Sequence, residues 1–181
     1  IGTGAGQIAL QFPAVEECDS ACLNDYTADQ LSSYDVVYLD GFTYTDHDAA
    51  EGLVRAIAAS GTRVVIMADG IPADEHTGDT SFLGVSCQPI TFHGGFPELT
   101  TNLGQLSCAL FPSGHELWQT VYVNGLEDVW GSIEEEGRTL PFMGATCGGN
   151  VVFVGLNLTY FEAVTADPGT AALLAEALDL D

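Results

Sequence analysis

The feature that most constrains the fold of this chain is a strand–helix–strand pattern between residues 34 and 67. Residues 34–40 (YDVVYLD) form a short apolar run that predicts a buried strand, and Arg63–Met67 (RVVIM) predicts a second one. Between them, residues 45–48 are typical of a helix start, and apolar residues follow at three- and four-residue spacing as far as Gly61. Strand, helix and strand joined by short links predict two parallel strands and therefore an α/β fold.

Weaker signals extend this pattern toward both ends of the chain. Residues 6–12 predict another strand, and residues 27–33 predict a short helix capped by the first of them, a threonine. Further along, residues 150–156 (NVVFVGL) predict a strongly apolar strand, and residues 169–178 predict a last helix that follows Pro168. At 181 residues the default expectation is a single domain, residues 1–181.

The middle of the chain, residues 72–148, has a different character. Helical periodicity is absent there, and glycine, proline, threonine and aromatic residues dominate. Residues 119–123 and 131–135 predict short antiparallel strands joined by turns. We therefore expect an α/β domain with a parallel sheet core and a β-rich middle insertion.

The charge balance excludes several classes of function. The chain has 26 acidic residues but only three arginines and no lysine, so its net charge is −23. Such a chain cannot form the basic surface that nucleic acids or anionic lipids require. Hydrophobic residues make up 46% of it, which argues against disorder. The apolar runs are far shorter than the roughly 20 residues of a membrane span, so no membrane insertion is expected.

The same balance suggests where the protein acts. A carboxylate-rich surface with few cations stays hydrated in strong salt, where screening weakens its self-repulsion. We therefore expect an acidic, halophilic protein, and the alternative is a lysine-poor, protease-resistant surface protein from ordinary water. The cysteines, the absent lysines and a sequon together favour an extracellular or cell-surface location. The sequon at Asn157 (Asn157-Leu158-Thr159) predicts a glycosylation site and fits this location.

The five cysteines contain no CxxC pair, which argues against a zinc knuckle. In an exported protein they predict two disulfides and one free thiol. Cys18 and Cys22 could close a local loop, and Cys87 and Cys108 bracket a loop-rich segment. The alternative is five reduced cysteines, of which Cys87 or Cys147 could in principle be a reactive thiol.

Two aspartates stand where the predicted parallel strands end. Asp40 and Asp69 each precede a glycine, and in open α/β sheets ligands collect at this edge. Two neighbouring carboxylates could share a proton or hold a metal, with calcium the best candidate because it needs only oxygen ligands. The alternative is that both Asp-Gly pairs are simply turns. We expect no other cofactor.

Histidines and aromatic residues provide the remaining candidates. No two histidines have the i, i+4 spacing of a zinc site. The aromatic side chains of the middle could stack on sugar rings or form their own core. The histidines are His47, His76, His93 and His115, and the aromatic set is Phe92, Phe96, Phe111, Trp118, Tyr122 and Trp130.

The strands YDVVYLDG and TRVVIMADG resemble the flavodoxin-like core of class I glutamine amidotransferase-like domains. In catalytic members the second of these strand ends carries a nucleophilic cysteine, and a later strand delivers a histidine and a glutamate. At the position of that cysteine this chain has Ala68, Asp69 and Gly70 instead. Its late strand runs into Asn157-Leu158-Thr159, with no histidine or glutamate there. The resemblance therefore implies a flavodoxin-like domain with no catalytic residues of that type.

Residues 23–35, 41–46 and 155–160 are similar to non-catalytic amidotransferase-like domains of membrane-attached or exported prokaryotic proteins. This similarity implies a structural or interaction module that binds protein partners or itself, and a tether through a longer chain is compatible with it. Two alternatives stay open. One is an extracellular hydrolase that acts on glycan or peptide through carboxylates, and the other is a glycan-binding module.

Overall fold

A seven-stranded mixed sheet forms the centre of the protein in the computed structural model, which describes residues 1–6, 12, 14–73, 78–89, 99–101, 104–106, 121–156 and 168–179. Its strands lie in the order β1-β2-β10-β9-β8-β5-β6, and a three-stranded sheet has the order β3-β4-β7. The strands are β1 Val36–Leu39, β2 Arg63–Met67, β3 Ser81–Phe82, β4 Val85–Pro89, β5 Leu99–Thr101, β6 Gly104–Leu106, β7 Val121–Asn124, β8 Asp128–Glu135, β9 Arg138–Thr146 and β10 Val151–Val154.

The predicted strand–helix–strand unit is confirmed. β1 and β2 are parallel, and α2 (His47–Ala59) connects them. The side chain of Asp46 caps α2 by accepting the Ala49 N–H at 3.0 Å, and the chain leaves the helix through Gly61 at φ +100°. The apolar positions of α2 pack on one face of the sheet because they recur at helical spacing. They are Ala50, Val54, Ile57 and Ala58.

Two further helices agree with the sequence. α1 (Ala28–Leu31) begins at Thr27, whose side chain and that of Gln30 form a reciprocal capping box. α3 (Pro168–Leu178) packs on the opposite face of the sheet from α2, because alternate residues of β2 and β10 point to opposite sides. Its buried residues are Leu173, Leu174, Ala177 and Leu178.

The described part of the middle is β-rich, as predicted, but it is not an excursion from the sheet. β9 pairs antiparallel with β10 across the 3₁₀ turn Cys147–Gly149, and β8 pairs with β9. These strands, followed by β5 and β6, continue the main sheet directly. Of the strands that the structure describes, β3, β4 and β7 form a separate sheet. The fold is therefore α/β, with three adjacent parallel strands, β1, β2 and β10, and an antiparallel extension.

Two further expectations concern the predicted strand at 6–12 and membrane insertion. The strand predicted at 6–12 lies mostly outside the described residues. Among the helices that are described, none has both the length and the apolar character needed to cross a membrane.

Candidate functional site

Asp40 and Asp69 come together at the carboxyl edge of the parallel strands, as the sequence predicts. Asp40 directly follows β1, and Asp69 lies in the 3₁₀ turn Ala68–Gly70 that follows β2, which we call the elbow. Asp40 is only 9% exposed, whereas Asp69 is an exposed residue. The two carboxyls are close enough for the charge of Asp40 to raise the pKa of Asp69.

Glycines pack so tightly around Asp40 that a side chain at any of the glycine positions described next would collide with neighbouring atoms. A β-carbon on Gly4 would collide with the Asp40 carboxyl, and one on Gly2 would collide with its backbone. A β-carbon on Gly70 would overlap the nitrogen of Gly41 and lie 3.2 Å from Asp40 Oδ1. We call Gly2, Gly4, Gly41 and Gly70 the glycine cradle. Sequence reasoning missed it, although the alternate glycines at the start of the chain were a visible signal.

Backbone hydrogen bonds place the first residues of the chain against Asp40. The Asp40 N–H donates to the Ile1 carbonyl at 3.0 Å, and the Gly4 N–H donates to the Asp40 carbonyl at 2.9 Å. The Thr3 N–H donates to the Gly41 carbonyl at 3.2 Å. The segment thus lies along the end of β1 and covers the buried carboxyl.

Burial is the main cause of the electrostatics of this pair. It raises the pKa of Asp40, against a lowering influence of the Tyr38 hydroxyl, which lies 3.5 Å from Oδ2. Burial, and then the Asp40 charge, raise the pKa of Asp69 to about 7, while the N–H groups of Asp69 and Gly70 lower it. By surface area Asp69 is exposed, although protein atoms surround its carboxyl closely. Because water still reaches this carboxyl, solvent screening weakens the effect of burial on its pKa.

A carboxyl that titrates near neutral pH can donate or accept a proton, so this pair has the chemistry of a general acid or base. The pair is less well suited to binding a metal ion than to proton transfer. Within the described ranges, no group of three or more His, Cys, Asp or Glu side chains is arranged to hold a metal ion. Calcium takes six to eight oxygen ligands, and Asp40 and Asp69 are the carboxylates that the described residues bring together here. Calcium binding stays a prediction.

Among the described cysteines, Cys87 is affected by the charge of Asp69 in the elbow. Cys87, on β4, is 6% exposed and belongs to the hydrophobic core. Burial raises its pKa to about 12, and the charges of Asp69 and Asp79 add to this effect. Because a thiol with this pKa stays protonated at neutral pH, Cys87 is a poor nucleophile.

Cys147 lies at the opposite edge of the sheet, in the turn before β10. Its backbone has φ +53°, and its Sγ accepts a hydrogen bond from Arg55 Nη1 at 3.7 Å. Arg55 also pairs with Glu51 at 3.5 Å. The neighbouring Gly148 N–H donates to Glu127 at 3.1 Å and lowers the pKa of that carboxyl. The arrangement ties α2 to the turn before β10.

The other cysteines give no support to a disulfide. Cys18 and Cys22 are both half-buried free thiols in the structure. Cys87 is a free thiol as well, and its predicted partner Cys108 lies outside the described residues, as does the predicted glycosylation site Asn157. Both pairings and the glycosylation stay predictions.

Histidines and aromatic residues are only partly described. The ring of His47 packs edge-on against Tyr44 and Phe82, at centroid distances of 5.2 and 5.8 Å. One face of Trp130 carries the guanidinium of Arg63 at 5.6 Å, so that face is not open to a sugar. The candidates that lie outside the described residues are His76, His93, His115, Phe92, Phe96, Phe111 and Trp118.

These observations define an α/β domain in which a glycine cradle holds a carboxylate pair at the edge of a mixed sheet. Residues 1–161 match the family described as Domain of unknown function (DUF8560), and the chain belongs to that family. The match includes the whole cradle and both carboxylates. No curated protein matches the chain.

Proposed function

We propose that this protein is a non-catalytic interaction domain of the amidotransferase-like type, acting outside the cell or on its surface. The observation that carries the proposal is the filled elbow. Ala68 is 3% exposed, and Gly70 packs directly on the backbone of Gly41. Neither position can present a nucleophilic side chain to a substrate, because Ala68 is buried and a side chain on Gly70 would overlap backbone atoms; Asp69 is the exposed residue of the elbow.

The chemistry of the neighbouring side chains supports the same proposal. Cys87 is, among the described cysteines, a thiol on which the Asp69 charge acts, and its raised pKa of about 12 keeps it protonated. Cysteine nucleophiles work as thiolates beside a base or a cation. Around Cys87, burial and two nearby carboxylates instead disfavour the thiolate.

The topology supports the flavodoxin-like assignment. β1, β2 and β10 are parallel neighbours, and helices pack on both faces of the sheet they form. The acidic composition supports the extracellular and halophilic location, because only three cations face 26 carboxylates. With so few cations, the domain would bind partners mainly through apolar contacts, hydrogen bonds and its carboxylates.

One observation favours the hydrolase alternative. Asp69, with a pKa raised to about 7 and a second carboxyl beside it, has the properties of a general acid. In a hydrolase the pair would face a substrate cleft. Here Asp40 is covered by the cradle, which leaves Asp69 alone at the surface.

The test compares turnover and association. The wild type and Asp69→Asn are incubated with panels of peptides and of glycans in molar salt, with Asp19→Asn as the matched exposed control. We expect no turnover by any of the three. Turnover that Asp69→Asn abolishes and Asp19→Asn preserves would replace the proposal with the hydrolase. Sedimentation velocity over a concentration series then shows whether the domain also associates with itself.

A further inference from the structure

An apolar cavity of about 300 Å³ lies beside β1, the edge strand of the main sheet. Its inner wall includes Val37 of β1, Leu31 of α1 and Leu178 of α3, all of them buried core residues. The volume is at the lower end of the range for ligand pockets, which suits an inserted side chain better than a large cofactor. The residues that line the cavity include none of the elbow, but Ile1 and Ala5 of the segment that covers Asp40 contribute to its wall.

Exposed apolar side chains lie at the same cavity. Val15 is 39% exposed and Tyr34 is 36% exposed, and both line it. The other large hydrophobic residue exposed in the described part of the chain is Val129, on β8. Exposed apolar residues that adjoin an apolar cavity are typical of a binding surface, whereas a single one such as Val129 is ordinary.

Carboxylates line the cavity as well. Glu16, Glu17 and Asp35 contribute to its wall, and the Tyr34 hydroxyl donates to Glu16 Oε2 at 2.9 Å. A shallower hollow of about 400 Å³ adjoins the cavity, shares Glu16 and Glu17 with it, and adds Asp19. An apolar cavity therefore continues into an acidic hollow.

Two of the three arginines form ion pairs, within the described residues, with carboxylates that line neither the cavity nor the hollow. Arg55 pairs with Glu51, and Arg63 pairs with Asp179 at 3.4 Å. Lysine is absent from the sequence, and the third arginine, Arg138, begins β9. This chain therefore has few cationic side chains that could bind in the acidic hollow, and the same holds for a second copy of it.

We propose that the cavity is the docking site for a partner peptide that inserts a large apolar side chain and places a neighbouring lysine or arginine in the acidic hollow. The inference rests on the proposed function, because it names the surface and the partner chemistry of the interaction domain. The apolar side chain supplies the buried contact area, and the carboxylates select for the flanking cations.

The test uses short capped peptides and an isotope-labelled domain. The probe is Gly-Lys-Phe-Lys-Gly, compared with Gly-Glu-Phe-Glu-Gly and Gly-Lys-Ala-Lys-Gly, and binding is followed by NMR shifts at 0.1 M salt. We expect the first peptide to shift the signals of Val37 and Tyr34 and to bind at least tenfold more tightly than the other two. Equal binding of the acidic peptide, or no shift by the first, would overturn the inference.

Matched variants locate the site. Val15→Ala should weaken binding severalfold, whereas Val129→Ala, the other exposed valine, should leave it unchanged. Glu16→Gln combined with Glu17→Gln should weaken binding roughly two- to fivefold for each lost ion pair, and the loss should shrink in molar salt. Equal effects of the two valine variants would contradict the assignment.

The outcome can be separated from that of the proposed function. If the peptide does not bind and no turnover is found, the cavity inference fails while the non-catalytic proposal stands. Turnover that depends on Asp69 refutes the proposed function whatever the peptide does. If the domain dimerises and Val15→Asp abolishes the dimer, the occupant is a second copy and the proposed partner is wrong.

Discussion

Gly70 packs against Gly41 so closely that the smallest possible side chain on Gly70 would overlap the Gly41 amide nitrogen. The contact joins the ends of two parallel strands, and the Asp40 carboxyl lies next to it. At this edge of the sheet, where ligands often bind in α/β proteins, Gly41 and Gly70 are in contact and Asp40 is buried, whereas Asp69 is exposed.

This contact predicts a large cost for Gly70→Ala. Because backbone atoms cannot move aside as a flexible side chain would, we expect a loss of about 1–3 kcal/mol in the free energy of unfolding. Gly52→Ala is the control, since Gly52 lies in α2 with nothing within 4 Å of an added β-carbon. It should instead stabilise the protein by roughly 0.5–1 kcal/mol. Denaturant unfolding measures both, and similar effects would contradict the packing.

The pKa of Asp69 predicts a pH-dependent benefit of Asp69→Asn. A carboxyl whose pKa is raised on folding stabilises the fold while it is protonated, and that stability is lost as the pH rises through the folded pKa. The stability of Asp69→Asn relative to wild type should therefore increase between pH about 4 and pH about 7.

Urea unfolding at pH 4.5 and pH 7.5 checks this, with Asp19→Asn as the exposed control. A difference between variant and wild type that is the same at both pH values would show that Asp69 is not perturbed by its surroundings.

The pKa of Cys87 predicts slow alkylation. With a pKa of about 12, roughly one molecule in ten thousand carries the thiolate at pH 8, and burial hinders access further. In native protein treated with iodoacetamide, Cys147 should be modified long before Cys87, because Cys147 is only half-buried. Peptide mass spectrometry follows both sites, and a denatured sample provides the control in which both react. Equal native rates would remove the argument against a thiolate near the elbow.

The charge balance predicts stabilisation by salt. Screening weakens repulsion among the carboxylates, so the melting temperature should rise by several degrees between low and molar sodium chloride. A variant with Glu16, Glu17 and Asp19 changed to amides should melt higher in low salt and gain less from added salt. A melting temperature that is flat or falls with salt would rule out the halophilic interpretation.

The sequence was most informative where structure is local. The run from β1 through α2 to β2 was predictable because its apolar spacing, its Asp46 cap and its Gly61 exit are all encoded within 34 residues. The placement of β8 and β9 was not predictable, because antiparallel pairing with β10 depends on contacts between distant segments. An apolar alternation indicates a strand but does not name its neighbour.

The candidate site divides in the same way. Asp40 and Asp69 could be predicted to meet because parallel strands end at a common edge. The cradle could not, since Gly2 and Gly4 reach Asp40 only through hydrogen bonds between segments far apart in the sequence. The edge cavity was also missed, because it is formed by side chains from separate helices, strands and loops.

The strand order has a consequence for how the protein acquires its structure. β2 lies between β1 and β10 in the sheet. In the chain, β1 and α2 come just before β2, whereas β10 follows more than 80 residues later, with Val151 aligned to Val64. Until the ribosome has released β10, one side of β2 lacks its permanent neighbour, and β9 lacks the strand that connects it to β2. Long-range parallel pairing of this kind slows folding and leaves strand edges exposed meanwhile. A nascent chain of this protein should therefore depend on chaperones or rapid completion more than its final stability would indicate.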